Sequence, residues 1–271
     1  MQQHNDNHPV ADSNQPKYKL GVALSGGGAR GFAHVGALKA LVEAGYKPDV
    51  IAGVSAGSIT AVLYAAGVSF DKMMALFTDT KFTDFCSTSL TSREGMFSLV
   101  KFKRFIEQAT GVKRLEDLKI PTYVGVTDLD HGIPSEFHEG ALGERVTASC
   151  SIPIVFTPVK IDGTHYVDGG VLRNLPAWII RDKCETLIGV NVSPLCNYHF
   201  KRSVLDIGMR TYNLMAKANQ QQDMNLCDHV IVTPDLSHYQ VFNLKDIKTA
   251  YLSGYAAAHR AITEWQKVGK I

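Results

Sequence analysis

No stretch of this chain approaches the ~18 consecutive apolar residues that a membrane-spanning helix needs. The opening residues, Met-Gln-Gln-His-Asn-Asp-Asn-His, have no basic start and no apolar stretch, so they do not read as a secretory leader. Both absences point to a cytoplasmic protein, with transient contact at a membrane surface left open. Paired cysteines are missing too. Cys86, Cys150, Cys184, Cys196 and Cys227 are odd in number and scattered, and none falls in a Cys-x-x-Cys pair. That argues against a disulfide framework or a zinc site and suits a reducing compartment. Charge of one sign is scarce: 28 Lys and Arg against 26 Asp and Glu leave a net +2. A near-neutral chain carries no signature of nucleic-acid binding, a local basic patch aside. No internal repeat and no linker interrupts the pattern.

What is present suits a globular core: 45% of the 271 residues are hydrophobic and 20% charged. Residues 1–17 are polar without apolar periodicity and are expected to form a disordered tail. Residues 18–271 are expected to form a single domain. Lys19-Leu-Gly-Val-Ala-Leu-Ser predicts a buried strand, and Phe32 to about Glu43 a helix stopped by Gly45. Asp49 to Val54 predicts a second strand, followed by a helix through Ala66 that stops at Gly67. Strand, helix, strand, helix in so short a span is the pattern of a parallel sheet covered by helices.

The middle third is less regular. Asp71 to Phe77 predicts a short amphipathic helix, and residues 78–95 a loop rich in Thr and Ser. Met96 to Ile106 mixes aromatics with Lys101, Lys103 and Arg104. Its apolar face is assigned to the core, with a lipid-contacting surface or lid as the alternative. Strands are expected at Tyr123–Thr127 and around Phe137, and a helix from Arg145 to Cys150. Phe156–Ile161 and His165–Val167 flank Asp162-Gly163, a hairpin turn signal. Further on, helices are expected at Trp178–Lys183, Val204 to about Gln221, and Ile247–Val268, with strands at Thr186–Val192 and Val230–Thr233.

Three short motifs carry chemistry. Gly53-Val54-Ser55-Ala56-Gly57 places a serine between a predicted strand and a predicted helix, the arrangement of a nucleophile elbow. The flanking residues are glycines because side chains there would collide with neighbouring segments. The run Gly26-Gly27-Gly28-Ala29-Arg30-Gly31 follows the first strand and admits two readings. It fits a dinucleotide fingerprint, which would make the protein an oxidoreductase, but the acidic residue at about the right distance, Asp49, stands at the wrong end of its strand. It also fits a turn whose backbone N–H groups point inward as an oxyanion hole. Arg30 either fixes that loop, steers an anionic substrate, or forms a surface ion pair. The third motif is Asp168-Gly169-Gly170, at the end of the second hairpin arm.

Taken in order, Ser25-Gly-Gly-Gly-Ala-Arg-Gly, Gly53-Val-Ser-Ala-Gly and Asp168-Gly-Gly resemble the patatin-like phospholipase family over Leu20 to about Leu175. Ser25 departs from that family's plant members, which often have aspartate there. The resemblance implies a three-layer α/β/α fold with a mainly parallel central sheet, a variant of the α/β-hydrolase architecture. It implies Ser55 as nucleophile and Asp168 as general base, a dyad without histidine. The oxyanion would be held by backbone N–H groups of Gly27, Gly28 and their neighbours. The substrate class it implies is a phospholipid, lysophospholipid or other lipid ester, with no metal and no cofactor. A triad with His238 as base, among the histidines after Asp168 (His199, His229, His238, His259), is the alternative within the same chemistry. Acyl transfer and a non-catalytic lipid-binding role remain rivals. His34 is expected to pack, with a role in ordering the loop. Ser149-Cys-Ser-Ile-Pro and Arg173-Asn174 are expected to wall the site and support the Asp168 turn.

Overall fold

The structure is a computed structural model that describes residues 16–78, 82–88, 95–193, 203–233, 236 and 246–269. The chain opens with β1 (Tyr18–Leu24), a 3-10 turn at Gly28–Gly31 and α1 (Phe32–Glu43). Strand β2 (Val50–Val54) and α2 (Ala56–Ala65) follow, then the short helices α3 (Phe70–Ala75) and α4 (Phe82–Phe85). A two-stranded ribbon of β3 (Ser87–Thr88) and β4 (Phe97–Ser98) precedes α5 (Val100–Thr110). Then come β5 (Thr122–Asp128), β6 (Ile133–Phe137), α6 (Leu142–Ser149) and the hairpin β7 (Val159–Ile161) and β8 (Thr164–Asp168). The last part holds α7 (Ala177–Ile180), β9 (Cys184–Asn191), α8 (Val204–Met224), β10 (His229–Val232) and α9 (Ile247–Lys267).

The main sheet runs β10-β9-β1-β2-β5-β8-β7, with β6 also on β5. Its first five strands are parallel, and β6, β7 and β8 pair antiparallel. Alternation along the buried strands splits the core in two. Val22, Leu24 and Ile51 pack with α1, α2, α5 and α9 on one face. Ala23, Val50 and Ala52 pack with α7 and the end of α8 on the other. This is the three-layer α/β/α arrangement that the motifs implied, and the parallel pairs require helical crossovers that cover both faces.

Three local features position the site. Helix α9 lies directly on α1: a Cβ at Gly36 would meet the Tyr251 carbonyl oxygen at 2.0 Å, and one at Gly254 the Ala33 carbonyl oxygen at 2.0 Å. The apolar face of α5 enters the core through Phe102, Ile106 and Ala109, as expected of that helix. Its rings join an edge-on aromatic cluster, with Phe85–Phe105 at 4.9 Å and Phe77–Phe105 at 5.3 Å between centroids. The β7–β8 turn has Asp162 at φ 50° and Gly163 at φ 95°, the two left-handed residues of a type I′ hairpin.

Most predicted elements form, with ends shifted by up to about three residues. The helix expected at Arg145–Cys150 begins earlier, at Leu142, and the strand expected at Thr186 begins at Cys184. The Thr- and Ser-rich segment 78–95 is not wholly loop, since α4 and β3 interrupt it. Cys196, His199, His238 and most of the expected N-terminal tail lie outside the described residues.

Candidate active site

Strands β1 and β2 run parallel in register, Leu24 opposite Gly53, so the segments leaving them emerge at one sheet edge. The glycine run leaves β1 there, and Ser55 leaves β2 beside it. Ser55 has φ 52° and ψ −123°, a conformation that a side-chain-bearing residue adopts only under constraint. Close packing supplies the constraint. A Cβ at Gly53 would lie 2.5 Å from the backbone of Gly57 and Ser58, and one at Gly57 would lie 2.3 Å from the Leu24 carbonyl oxygen. Both flanking glycines are therefore required. The Ser55 N–H donates to Ser149 Oγ at 2.8 Å, and Ser149 Oγ donates to the Gly125 carbonyl at 2.7 Å. The Ser58 hydroxyl and N–H both donate to the Ser55 carbonyl, at 2.6 and 2.9 Å. Ser149, on α6, thus ties the elbow to strand β5.

Asp168 arrives from the opposite direction. Strand β8 runs antiparallel to β5 with Asp168 opposite Val126, while Val54 lies opposite Gly125. The carboxylate and the serine are thereby brought to one level of the sheet. Asp168 is fully buried and its Oδ1 accepts the Gly170 N–H at 2.8 Å. The turn that follows is closely packed. A Cβ at Gly169 would lie 2.8 Å from the Gly125 carbonyl oxygen, and one at Gly170 would lie 2.4 Å from the Tyr212 hydroxyl. Helix α8 holds this turn. Asn219 Nδ2 donates to the Gly170 and Val171 carbonyls, and Arg173 makes a two-pronged ion pair with buried Asp223 at 2.6 and 2.8 Å.

Burial pushes the Asp168 carboxyl up to about 6, because the charged form loses its hydration. The Ser55 hydroxyl, the Gly170 N–H and the Tyr212 hydroxyl each act in the opposite direction, favouring the carboxylate. Ser55 and Asp168 therefore face one another. Asp168 Oδ2 itself has no hydrogen-bond partner among the described residues. Tyr212 was invisible to sequence reasoning: nothing in the α8 pattern distinguishes it from a packing aromatic. The Cys150 thiol also lies beside Ser55, and burial next to Asp168 raises its pKa, which keeps it protonated.

The glycine loop is tied from several sides. Gly26 N–H donates to the Asn174 carbonyl at 3.0 Å, and the Gly26 carbonyl accepts from Ser193 Oγ at 2.6 Å. Arg30 N–H and Nε both donate to the Gly27 carbonyl at 3.2 Å. The amide hydrogens of Gly26 and Arg30 are thus committed to carbonyls. Gly28 takes φ 56° and faces the same cleft as Ser55, Ala29, Gly31 and Ala56. A Cβ at Gly31 would lie 2.4 Å from Ala56 Cβ, so this glycine sets the approach of loop to elbow. Arg30 is buried and braces the loop through the Gly27 carbonyl. His34, also buried, donates from Nε2 to the Ser25 carbonyl at 2.7 Å, and burial holds its pKa down at about 4. It is a neutral brace. Asp49 Oδ2 accepts the Leu20 N–H at 3.0 Å, which occupies it at the base of the sheet, away from the glycine run. Of the later histidines, His229 lies against the Trp265 ring and His259 is exposed on α9.

From Ser55 an apolar cleft of about 930 Å³, counted to its open mouth, runs between α1, α2 and α5. Phe32, Phe77, Phe85, Phe102 and Phe156 line it, and Ser55, Thr60 and Cys150 are among its few polar groups.

The sequence model of the patatin-like phospholipase family matches residues 22–180, which hold all three motifs. The chain belongs to the patatin-like phospholipase family. An uncharacterised NTE family protein of Mycobacterium tuberculosis is 35% identical over 169 residues, 62% of this chain and 46% of that protein. Human patatin-like phospholipase domain-containing protein 6 is 32% identical over 186 residues, 64% of this chain and 13% of its own length. Lysophospholipase NTE1 of Saccharomyces cerevisiae is 32% identical over 181 residues, 64% of this chain and 11% of that protein. This patatin-like chain thus spans less than half the length of these relatives. In fold it is similar to VipD from Legionella pneumophila, with a TM-score of 0.59 at 15% identity, covering 93% of this chain and 68% of VipD. Among the described residues no helix is long and apolar enough to cross a membrane.

Proposed function

We propose that this patatin-like chain is a serine lipid acyl hydrolase working through a Ser55–Asp168 dyad in a single domain that spans residues 18–271. The observation that carries the reading is a convergence. A strained serine opens onto an apolar cleft at the start of α2, and its hydroxyl acts on a buried carboxylate of raised pKa.

The steps follow from those positions. Ser55 Oγ attacks the ester carbonyl carbon while its proton passes to Asp168. The new oxyanion is met by backbone N–H groups of Gly28 and its neighbours, with the Ala56 N–H and the positive end of α2 on the other side. Collapse returns the proton from Asp168 to the leaving alcohol and leaves an acyl-serine. Asp168 then takes a proton from water, hydroxide attacks the acyl carbon, and the fatty acid leaves as Ser55 is restored. An isolated aspartate near 3.9 would be a weak base, and the value of about 6 brings it closer to the task. The cleft suits an acyl chain, and lipid esters are the substrate class named for the relatives. The protein would meet them during transient contact with a membrane surface.

Product analysis with a defined mixed-chain phospholipid and lysophospholipid, wild type beside Ser55→Ala, tests this. Release of fatty acid by the wild type alone is expected. A fluorophosphonate probe should label Ser55, and equal labelling of Ser55→Ala would overturn the assignment.

A further inference from the structure

Several large aliphatic side chains stand in solvent around the mouth of the cleft. Met96 is 49% exposed, Val100 63%, Ile154 49%, Val204 83% and Ile207 49%. They belong to three separate segments that the fold brings together. Met96 and Val100 flank Leu99, and Ile154 lies between Ile152 and Phe156; Leu99, Ile152 and Phe156 all line the cleft. The first two segments are stitched by the Phe97 N–H to the Val155 carbonyl at 3.0 Å and the Thr157 N–H to the Phe97 carbonyl at 3.0 Å. The third joins through Gly208, where an added Cβ would lie 2.6 Å from Ile154 Cδ1. Ile154 itself is held at φ 74°, a rare conformation for a β-branched residue. Its side chain is thus directed outward and across to α8. On α8, Val204 and Ile207 lie on the side away from buried Ala216, Gln220 and Asp223.

We propose that this rim is a docking surface for a phospholipid bilayer bearing negative charge. The inference rests on the hydrolase reading for its purpose, although the surface itself does not. Two observations choose the bilayer. The aliphatics frame an apolar cleft leading to Ser55, so a lipid chain drawn from the bilayer reaches the serine without crossing water. A second protein seated here would instead close the mouth. Charge agrees: Lys101 and Arg104, exposed on α5 beside Val100, supply cations at the edge of the apolar ring. Nearby Lys103 is paired to Glu144 at 3.5 Å, and Asp206 on α8 has its Oδ2 buried.

The test uses the full chain and the triple variant Met96→Ser, Val204→Ser, Ile207→Ser, none of which lines the cleft or touches Ser55 or Asp168. Flotation with mixed phosphatidylcholine and phosphatidylglycerol vesicles should show wild type bound and the variant's partitioning reduced by about tenfold or more. Vesicle phospholipid turnover should fall in parallel, while turnover of a water-soluble butyrate ester stays at the wild-type rate. Lys101→Glu with Arg104→Glu should lower binding to the mixed vesicles and leave the weaker binding to pure phosphatidylcholine unchanged. Equal partitioning of wild type and triple variant overturns the proposal. So does a wild-type dimer that the triple variant converts to monomer, since the occupant is then a second copy. Wild type that docks through the rim but cleaves neither ester nor phospholipid would sustain the docking surface and defeat the hydrolase reading.

Discussion

Replacing Asp168 with asparagine should make the protein inactive and more stable, and the gain should depend on pH. A carboxyl held at about 6 in the fold has an ordinary value near 3.8 when unfolded. Between those values the unfolded chain releases a proton that the native state keeps, so native stability falls as pH rises. The gap amounts to about 3 kcal/mol, lost progressively from about pH 4 and fully lost somewhat above pH 6. Asparagine has the shape of the protonated acid and no charge to ionise. Its oxygen can accept the Gly170 N–H, and its amide can face the Ser55 and Tyr212 hydroxyls. At pH 7.5 the variant should be more stable by about 2–3 kcal/mol, which for a chain of this size raises Tm by roughly 5 °C or more. Below pH 3.8 the two proteins should unfold alike. Urea titrations at pH 3.5, 5 and 7.5, read by fluorescence, measure the difference. If the advantage of Asp168→Asn over wild type is no larger at pH 7.5 than at pH 3.5, the account of a carboxylate destabilised by burial is refuted. Ester hydrolysis retained by the same variant would refute the assignment of the base.

The pH dependence of kcat/KM should show an acid limb near pH 6, activity rising as Asp168 ionises. Tyr212→Phe removes a hydroxyl that favours the carboxylate, so that limb should move to higher pH; an unmoved limb would separate Tyr212 from the base. Ser149→Ala breaks the link from Gly125 to the Ser55 N–H and should cost about 1–3 kcal/mol in denaturant melts, together with a fall in kcat. Gly36→Ala should destabilise by at least about 2 kcal/mol, because its methyl would collide with the Tyr251 carbonyl and separate α1 from α9; a wild-type melting curve would contradict that packing.

Much of this was legible because each motif sits where its local pattern changes. A β-branched run giving way to small residues at Gly53 marks a strand turning into a helix, and Asp162-Gly163 between two apolar arms marks a hairpin. The face of α5 that enters the core was legible too, since Phe102, Ile106 and Ala109 recur at helical spacing, while Met96 and Val100 stay exposed. What was hidden depends on contacts between distant segments. Ser149 reaches Ser55 across α6 and β5, and Tyr212 reaches Asp168 from a helix whose spacing says only that it is amphipathic. The division of labour within the glycine run was hidden for the same reason. Gly26 and Arg30 lose their amide hydrogens to carbonyls that only the folded chain places beside them.

The antiparallel entry of β8 has a consequence for how such a site can change. Side chains along a strand alternate between faces, so a slip of one position would carry the Asp168 carboxylate to the far side of the sheet. The type I′ hairpin a few residues upstream acts as a ruler that forbids the slip. Insertions within β8, between that turn and Asp168, must therefore preserve the strand phase, in steps of two, or the serine loses its partner.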